Sequence, residues 1–221
     1  MRDRTFSAFL FDMDGTILDS IAVANRVWTQ WAEGHGLDPA EILKVMHGVQ
    51  AVATIRRFAP SGIDAVHEAS LITEAEIDEV DGIVEIAGAK RFLEQLPPDR
   101  WAVVTSAPRR LAIRRLEAAG LPIPAVLVTA DDVANGKPAP DCFIVAAEAL
   151  GVTVSDCLVW EDAPAGIAAA EAAGASVMVV GATHHHEMQT PHPVIRSYHR
   201  LGLEADTDGR LRLVDIDETA A

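Results

Sequence analysis

Apolar residues in the first third of the chain recur at helical spacing. In the first such stretch the apolar positions are Ile21, Ala24, Val27, Trp28 and Trp31. A spacing of three and four residues places these side chains on one face of an amphipathic helix. Comparable patterns cover residues 39–46, 51–58 and 65–79. We therefore predict an all-helical segment from Ile17 to about Val84.

The remainder of the chain alternates between short apolar runs and helical patterns. The apolar runs are residues 6–11, 101–105, 126–128, 158–160 and 176–180. The helical patterns between and after them cover residues 88–96, 108–119, 140–150 and 164–173. Strands that alternate with helices predict a parallel sheet with right-handed crossovers. A weaker alternation around Asp208 and Gly209 predicts a small hairpin near the end of the chain.

These patterns together predict an α/β protein with a Rossmann-like parallel-sheet core and an all-helical cap inserted after the first strand. We assign residues 1–16 and 85–221 to the core and residues 17–84 to the cap. The short linkers at residues 16–19 and 84–88 are the candidate hinges between the two.

Charge and cysteine usage narrow the range of partners. The 221 residues carry 33 acidic and 18 basic side chains, a formal net charge of −15. Such a surface repels nucleic acid and anionic membranes, so any anion site must supply its own cations. Cys142 and Cys157 have no metal-ligand or disulfide-framework spacing, which favours a reduced, cytoplasmic setting. Residues 1–6 lack the apolar region of a secretory signal, and no apolar run reaches the ~18 residues of a membrane span.

Two carboxylates come directly after the first predicted strand. Asp12 and Asp14 stand in the sequence DMDGT, where the C-terminal end of a parallel strand would present them. One could attack phosphorus as a nucleophile, and the other could act as general acid and base. The alternative is an acidic first turn with a helix N-cap.

Hydroxyl groups and a lysine follow two further strands. Thr105 and Ser106 come after an apolar run, where hydroxyls and free amides suit a phosphate oxygen or a plain N-cap. Lys137 lies in GKPAP, where Pro138 favours an extended backbone. This lysine could neutralise a nucleophile and phosphoryl oxygens; the alternative is a surface lysine in a turn.

A second acidic pair, Glu161 and Asp162, follows the run Leu-Val-Trp. With Asp12 and the backbone carbonyl of Asp14 it would form an oxygen-rich site that suits Mg²⁺. The alternative is an acidic helix start. The histidine run at residues 184–186 is most simply an exposed polar loop, because zinc sites need ligands that converge.

Taken together in this order, the four motifs resemble those of the haloacid dehalogenase superfamily of aspartate-dependent phosphohydrolases. The resemblance covers nearly the whole chain. It implies that Asp12 is the nucleophile, Asp14 the acid and base, and Thr105 or Ser106 a phosphate ligand. It further implies that Lys137 is the third motif and that Glu161 and Asp162, with Asp12 and Asp14, hold Mg²⁺. The helical insertion resembles the type 1 cap of that superfamily.

Within the superfamily the closest pattern is that of sugar- and polyol-phosphate phosphatases. His47 and Gly48 resemble a cap motif of that group and are candidate substrate contacts, as are Arg56 and Arg57. The β-phosphoglucomutases carry a cap histidine twelve residues after the nucleophile, and this chain has Ala24 there. We therefore expect hydrolysis of a small phosphorylated metabolite. A phosphosugar mutase and a non-catalytic binding protein are the alternatives, and substrate identity and oligomeric state stay open.

Overall fold

The computed structural model of the chain describes residues 4–184, 186 and 188–216. The helices are α1 Ile21–Gly34, α2 Pro39–Leu43, α3 Ala51–Phe58, α4 Ala65–Asp78, α5 Ala89–Leu93, α6 Arg109–Ala118, α7 Asp141–Ala149 and α8 Pro164–Ala172. The strands are β1 Thr5–Phe6, β2 Ala8–Phe11, β3 Leu18–Asp19, β4 Val84–Glu85, β5 Trp101–Val104, β6 Val126–Val128, β7 Cys157–Glu161, β8 Ser176–Val180, β9 Val194–Ile195, β10 Leu201–Ala205 and β11 Leu211–Asp215.

The central sheet has six parallel strands in the order β6-β5-β2-β7-β8-β9. Strand β2 lies in the middle, where Phe9 pairs with Trp101 of β5 and with Leu158 of β7. All four residues of β2 are buried, as expected for a strand of a parallel sheet whose two faces are both covered. The predicted Rossmann-like α/β fold is confirmed.

The parallel arrangement brings the polar motifs to one edge of the sheet. Strand β2 ends at Phe11, and the N–H of Asp12 donates to the carbonyl of Trp160 at 2.9 Å, which continues the pairing with β7 by one residue. The C-terminal ends of β5, β6 and β7 lie at the same edge. The chain segments that follow these strands are therefore neighbours in space although they are far apart in sequence.

The cap helices α1–α4 enclose a hydrophobic cluster of their own. Its buried members are Ala24, Val27, Trp28, Trp31, Ala32, Ile42, Met46, Ile55 and Ile72. The spacing of these residues is the helical one found in the sequence, so their burial explains why the segment folds as helices. The division between core and cap at residues 16/17 and 84/85 stays a prediction.

The expectation that residues 17–84 are entirely helical is wrong at both ends. Leu18 pairs with Glu85 and Asp19 with Val84, which gives a short antiparallel ladder of β3 and β4. The chain enters the helical segment at β3 and leaves it at β4. Because the two chain segments lie side by side there, their backbone N–H and carbonyl groups form hydrogen bonds with each other.

The predicted C-terminal hairpin is confirmed, and the chain start is more complex than predicted. Strands β10 and β11 pair antiparallel, with Gly209 in the turn at φ +73°. Strand β11 also pairs with β1, so the single strand predicted at residues 6–11 is divided into β1 and β2, which belong to different sheets. Strand β9 was not predicted, because a strand of two residues is too short to give a periodic signal in the sequence. Among the described residues, the helices are too short or too polar to cross a bilayer.

Candidate active site

The four motifs meet at the C-terminal edge of the sheet around the side chain of Lys137. Its ammonium lies 2.5 Å from Asp12 Oδ1 and 2.8 Å from Glu161 Oε1, and it donates to the Val104 carbonyl at 3.2 Å. Lys137, Asp12 and Glu161 are all buried. The alternative of a surface lysine is therefore wrong: the acidic neighbours provide the charge that makes burial of an ammonium tolerable.

Two glycines in the motifs are required by the closeness of these carboxylates. Gly15, at φ +82°, leaves room for Asp162, whose Oδ2 would lie 2.0 Å from a Cβ at that position. At Gly166, in the first part of α8, a Cβ would lie 1.5 Å from Glu161 Oε1. A side chain at either position would displace a carboxylate of the site, which explains the glycines in DMDGT and PAGI.

Glu161 contacts Lys137 and also takes the helix-start role considered from sequence, while its role as a metal ligand stays a prediction. One of its oxygens contacts Lys137, and the other accepts hydrogen bonds of 2.8 Å from the backbone N–H groups of Asp162 and Ala163. These N–H groups belong to the turn that leads into α8, so the carboxylate also satisfies donors at a helix start. Both oxygens of Glu161 therefore have protein partners, and the carboxylate is fixed in orientation.

Burial and mutual repulsion raise the pKa values of the clustered acids. The pKa of Asp12 rises to about 7, because burial outweighs the opposing effect of Lys137 and the Glu161 charge adds to the rise. Burial likewise raises the pKa of Glu161 and brings that of Asp162 to about 6, although His184 opposes the latter shift. Three carboxylates thus share one balancing ammonium, and their raised pKa values reflect the cost of ionising all of them together.

The same three carboxylates are arranged so that a cation could bind between them. One oxygen each from Asp12, Glu161 and Asp162 lies within 4.8 Å of the others, and all three residues are buried. Hard carboxylate oxygens with excess negative charge suit a divalent cation such as Mg²⁺ or Ca²⁺. The arrangement of Asp12, Glu161 and Asp162 therefore fits a metal site, and metal binding by these residues stays a prediction.

Asp14, the fourth predicted ligand, directs its carboxylate elsewhere. Its Oδ1 accepts hydrogen bonds from Ser20 Oγ at 2.5 Å and from Arg115 Nη1 at 2.9 Å. The predicted metal contact of Asp14 is its backbone carbonyl. The β-bridge between Asp14 and Leu18 is formed by the Met13 carbonyl and the Gly15 N–H, so it does not involve the Asp14 carbonyl. A metal contact through the Asp14 carbonyl stays a prediction.

The predicted phosphate-binding hydroxyls lie beside the acids. Thr105 and Ser106 line a cavity of about 80 Å³ together with Asp12 and Asp14. Thr105 Oγ1 accepts from the Ala107 N–H at 3.1 Å, so it also acts as the plain turn-capping residue considered from sequence. The position of both residues is compatible with phosphate binding, and that role stays a prediction.

The predicted cap residues lie on the other side of the same cavity. His47 and Gly48 line it, and the Gly48 carbonyl accepts a 2.9 Å hydrogen bond from Ser106 Oγ. His47 Nε2 lies 3.1 Å from Asn25 Oδ1 on α1, and burial lowers the pKa of the imidazole. Cap and core therefore meet directly over the carboxylates.

Two other cap candidates do not reach the site. Arg56 and Arg57 are exposed and lie outside the set of residues that line the cavity. Helix α3 buries Thr54 and Ile55, so the arginines fall on its opposite face. The Arg57 guanidinium instead lies over the Phe58 ring, 5.1 Å from its centre.

Sequence reasoning missed several residues at the site. Arg115 and Glu76 line the cavity and are buried, yet each looks like an ordinary charged position of an amphipathic helix. His184 Nε2 lies 3.7 Å from Asp162 Oδ2, so the interpretation of this residue as part of an exposed polar loop is wrong. His186 is exposed, and His185 lies outside the described residues.

Comparison with known proteins agrees with this geometry. A profile of the haloacid dehalogenase-like hydrolases matches residues 6–174. The chain is 42% identical over 178 residues to hexitol phosphatase A of Escherichia coli (strain K12), a match covering 79% of this chain and 82% of that protein. It is 32% identical over 188 residues to glycerol-1-phosphate phosphohydrolase 2 of Saccharomyces cerevisiae, covering 80% and 75% of the two chains.

A solved structure supports the same assignment. The crystal structure of a hydrolase from Pseudomonas syringae superimposes with a TM-score of 0.70 at 27% identity, covering 79% of this chain and 84% of that one. The family profile spans strands β2, β5, β6 and β7 as well as the helical insertion after β2. The chain is therefore an enzyme that belongs to the haloacid dehalogenase-like hydrolases, as its motifs predicted.

Proposed function

We propose that this enzyme hydrolyses a small sugar or polyol phosphate monoester and releases inorganic phosphate. The observation that carries the proposal is the position of Asp12. Its carboxylate lies at the end of the central strand, is held by Lys137 at 2.5 Å, and faces a cavity that it shares with Asp14. A buried, oriented carboxylate with a paired cation and a second acid nearby suits nucleophilic attack on phosphorus.

In the first step an Asp12 oxygen attacks the phosphorus atom, and the bond from phosphorus to the ester oxygen breaks. The leaving alkoxide takes a proton from Asp14, so the alcohol departs neutral and the enzyme carries an aspartyl-phosphate. Lys137 balances charge on Asp12 and on the phosphoryl oxygens throughout. Charge balance of this kind is the main task in phosphoryl transfer.

In the second step water attacks the phosphorus of the aspartyl-phosphate. Asp14, now ionised, accepts a proton from that water, and the bond between phosphorus and Asp12 breaks. Inorganic phosphate leaves with Asp12 ionised and Asp14 protonated, as at the start. One residue thus acts first as acid and then as base.

Asp12, Glu161 and Asp162 would hold Mg²⁺, with the Asp14 carbonyl as a further ligand. When bound, the ion supplies positive charge that stabilises the phosphoryl oxygens and relieves repulsion among the acids. The excess negative charge of these three residues supports the proposal. The Glu161 oxygens already have protein partners, which favours a contact through water at that position.

The substrate class rests on the relatives and on the shape of the site. Both named relatives carry names of phosphatases that act on polyol phosphates. The cavity of about 80 Å³ is small and is covered by the cap, which would exclude bulk water during the reaction. We propose a small phosphorylated metabolite as substrate, without nucleic acid or membrane partners. Cys142 and Cys157 are free thiols, which supports the reducing, cytoplasmic setting that we propose.

The two alternatives have less support. A phosphosugar mutase must return the phosphoryl group to its product, and the resemblance places a cap histidine for that chemistry where this chain has Ala24. Ala24 lines the cavity, so a histidine there would have reached the site. A non-catalytic binding protein would have no need for the complete set of Asp12, Asp14, Lys137 and Asp162.

A panel of phosphorylated metabolites tests the proposal. With Mg²⁺ we expect release of inorganic phosphate from hexitol, deoxyhexose or glycerol phosphates, measured by phosphate assay. Removal of divalent ions with EDTA should lower the rate by at least roughly 10²-fold, because the buried acids then lack their balancing charge. Added Mg²⁺ should restore the rate. Isomerisation of a phosphosugar without phosphate release would favour the mutase, and binding without turnover would favour the non-catalytic alternative.

A further inference from the structure

Arg115 joins the core of the molecule to the cap through two buried ion pairs. It lies on α6 of the core and is 5% exposed. Its Nη1 contacts Asp14 Oδ1 at 2.9 Å, and its Nη2 contacts Glu76 Oε1 at 3.0 Å. Glu76 belongs to cap helix α4 and is 6% exposed. The guanidinium therefore connects the proposed acid and base of the reaction to a carboxylate of the cap.

The burial of these charges requires a reason. Ion pairs inside a protein contribute little net stability, because removal of both charges from water offsets their attraction. Burial alone would lower the pKa of Arg115, but the carboxylates of Asp14 and Glu76 outweigh it and raise that pKa. Arg115 is therefore charged at every working pH. A purely structural purpose would be served as well by apolar residues of similar size.

One donor of Arg115 is unused. Its Nε–H has no hydrogen-bond partner among the described residues, although the side chain is almost fully buried. A buried unpaired donor is costly, and such groups are retained mainly at functional sites. Arg115 lines the cavity that Asp12 and Asp14 also line. Arg115 is thus part of the reaction cavity, and the described part of the protein provides no acceptor for its Nε–H.

The contact fixes the orientation of the Asp14 carboxylate. Asp14 Oδ1 accepts from Ser20 Oγ on one side and from Arg115 on the other. Two donors on a single oxygen leave Oδ2 as the atom that can carry the proton needed by the leaving group. Glu76 holds the second arm of the guanidinium, so the position of Arg115 depends on the position of α4.

We propose that Arg115 positions Asp14 for proton transfer and that Glu76 makes this positioning depend on closure of the cap. With α4 packed on α6, Glu76 and Asp14 hold the guanidinium between them. With α4 displaced, Arg115 loses one of its two carboxylates and Asp14 loses a fixed partner. Proton transfer to the alcohol is then efficient only when the cap covers the substrate. This inference rests on the proposed function, because it takes Asp14 to be the general acid of the reaction.

A second ion pair between the same two helices provides a matched control. Arg110 on α6 contacts Glu74 on α4 at 2.5 Å. Unlike Arg115 and Glu76, both of these side chains are largely exposed, and Arg110 lies outside the cavity that contains the carboxylates. The Arg110 pair thus joins cap to core at nearly the same place without contact to Asp14.

The experiment compares Arg115→Met, Arg115→Lys and Glu76→Gln with Arg110→Met on two substrates. One is the alkyl phosphate that the unaltered enzyme hydrolyses fastest, and the other is p-nitrophenyl phosphate, whose leaving group needs no proton. Arg115→Met should lower kcat on the alkyl ester roughly 10²-fold and on the aryl ester by less than about 5-fold. Glu76→Gln should also lower kcat more on the alkyl ester than on the aryl ester, with a loss about a tenth as large. Arg115→Lys should retain part of the activity that Arg115→Met loses. Asp14→Asn is the reference and should show the same pattern most strongly.

The outcomes separate this inference from the proposed function. If the unaltered enzyme hydrolyses neither ester, the proposed function fails. If it hydrolyses both, and the Arg115 and Glu76 variants lose equal fractions on both, only the inference fails. If the Arg115 and Glu76 variants raise KM equally on both esters, and Arg110→Met does the same, Arg115 serves only to attach the cap and the inference also fails. If Arg115→Met does not fold, Glu76→Gln decides the question, since it keeps the shape of the side chain.

Discussion

Asp12→Asn is expected to lower kcat by at least about 10⁴-fold, because an amide cannot attack phosphorus and the remaining groups have no substitute nucleophile. Asp12 stands at the end of the central strand, and its Oδ1 lies 2.5 Å from Lys137. The asparagine has nearly the same shape, so substrate binding should change much less than turnover. Steady-state kinetics on the preferred phosphate ester measures both quantities.

The same variant should remain folded, and its stability has a predictable sign. The pKa of Asp12 rises from 3.8 to about 7 on folding, so the native state binds the proton more tightly than the unfolded state does. Asp12 therefore costs stability increasingly as pH rises from 4 to 7, and the full cost is present above pH 7. In metal-free buffer at pH 8, Asp12→Asn should melt at the same temperature as the parent protein or higher.

At pH 5 this difference should shrink, because Asp12 is then mostly protonated in the folded protein. The exposed Asp99 provides a control, and Asp99→Asn should leave turnover nearly unchanged. Retained turnover in Asp12→Asn would contradict the assignment of the nucleophile. A large drop in melting temperature at pH 8 would contradict the electrostatic account of the site.

Lys137→Met is expected to lower both activity and stability. The ammonium contacts Asp12 and Glu161 and is nearly inaccessible to water. Its loss should reduce kcat roughly 10²–10³-fold, as for removal of one preorganised donor to a transition state. It also leaves buried carboxylates without their cation. Breaking a buried pair in this way destabilises proteins by about 3–5 kcal/mol.

The stability loss of Lys137→Met should depend on pH in the metal-free protein. At pH 8, above the pKa values of Asp12 and Asp162 in the parent protein, these two carboxylates are mostly ionised and repel one another, so the loss should be large. At pH 5, below the pKa values of about 7 for Asp12 and about 6 for Asp162, protonation relieves the repulsion and the loss should shrink. Urea unfolding at the two pH values measures the difference.

Lys44→Met is the matched control for this variant. Lys44 is an exposed cap lysine whose ion pair with Glu41 is fully solvated. Its removal should change stability little and equally at both pH values. A stability loss in Lys137→Met that does not vary with pH would indicate that the lysine acts through packing of its stem and not through charge.

The sequence allowed prediction of the core because its signals are local. A buried strand needs a continuous apolar run, and the residue after it must turn outward. Asp12 and Glu161 could therefore be placed at strand ends from the chain alone, whereas Lys137 lies well beyond the end of β6 and was assigned to the site through the resemblance of its motif. Their meeting in space follows from the parallel order of the strands, which confines all those ends to one edge.

The features that escaped prediction depend on long-range contacts. Strands β3 and β4 are two residues each and form only because two chain passages lie side by side. Arg115 and Glu76 carry charges at positions of amphipathic helices, where a solvated side chain is the ordinary outcome. Their burial results from the packing of α4 against α6, and no local pattern records that contact.

The central claim is that the Asp12 carboxylate receives the phosphoryl group, and rapid quenching tests it most directly. The enzyme is mixed with excess substrate and Mg²⁺, stopped with acid within milliseconds, digested, and its peptides are weighed by mass spectrometry. We predict one phosphoryl group on the peptide that contains Asp12, sensitive to hydroxylamine and missing from Asp12→Asn. Release of alcohol and phosphate at full rate with no such peptide, or with the phosphoryl group on another residue, would contradict the account.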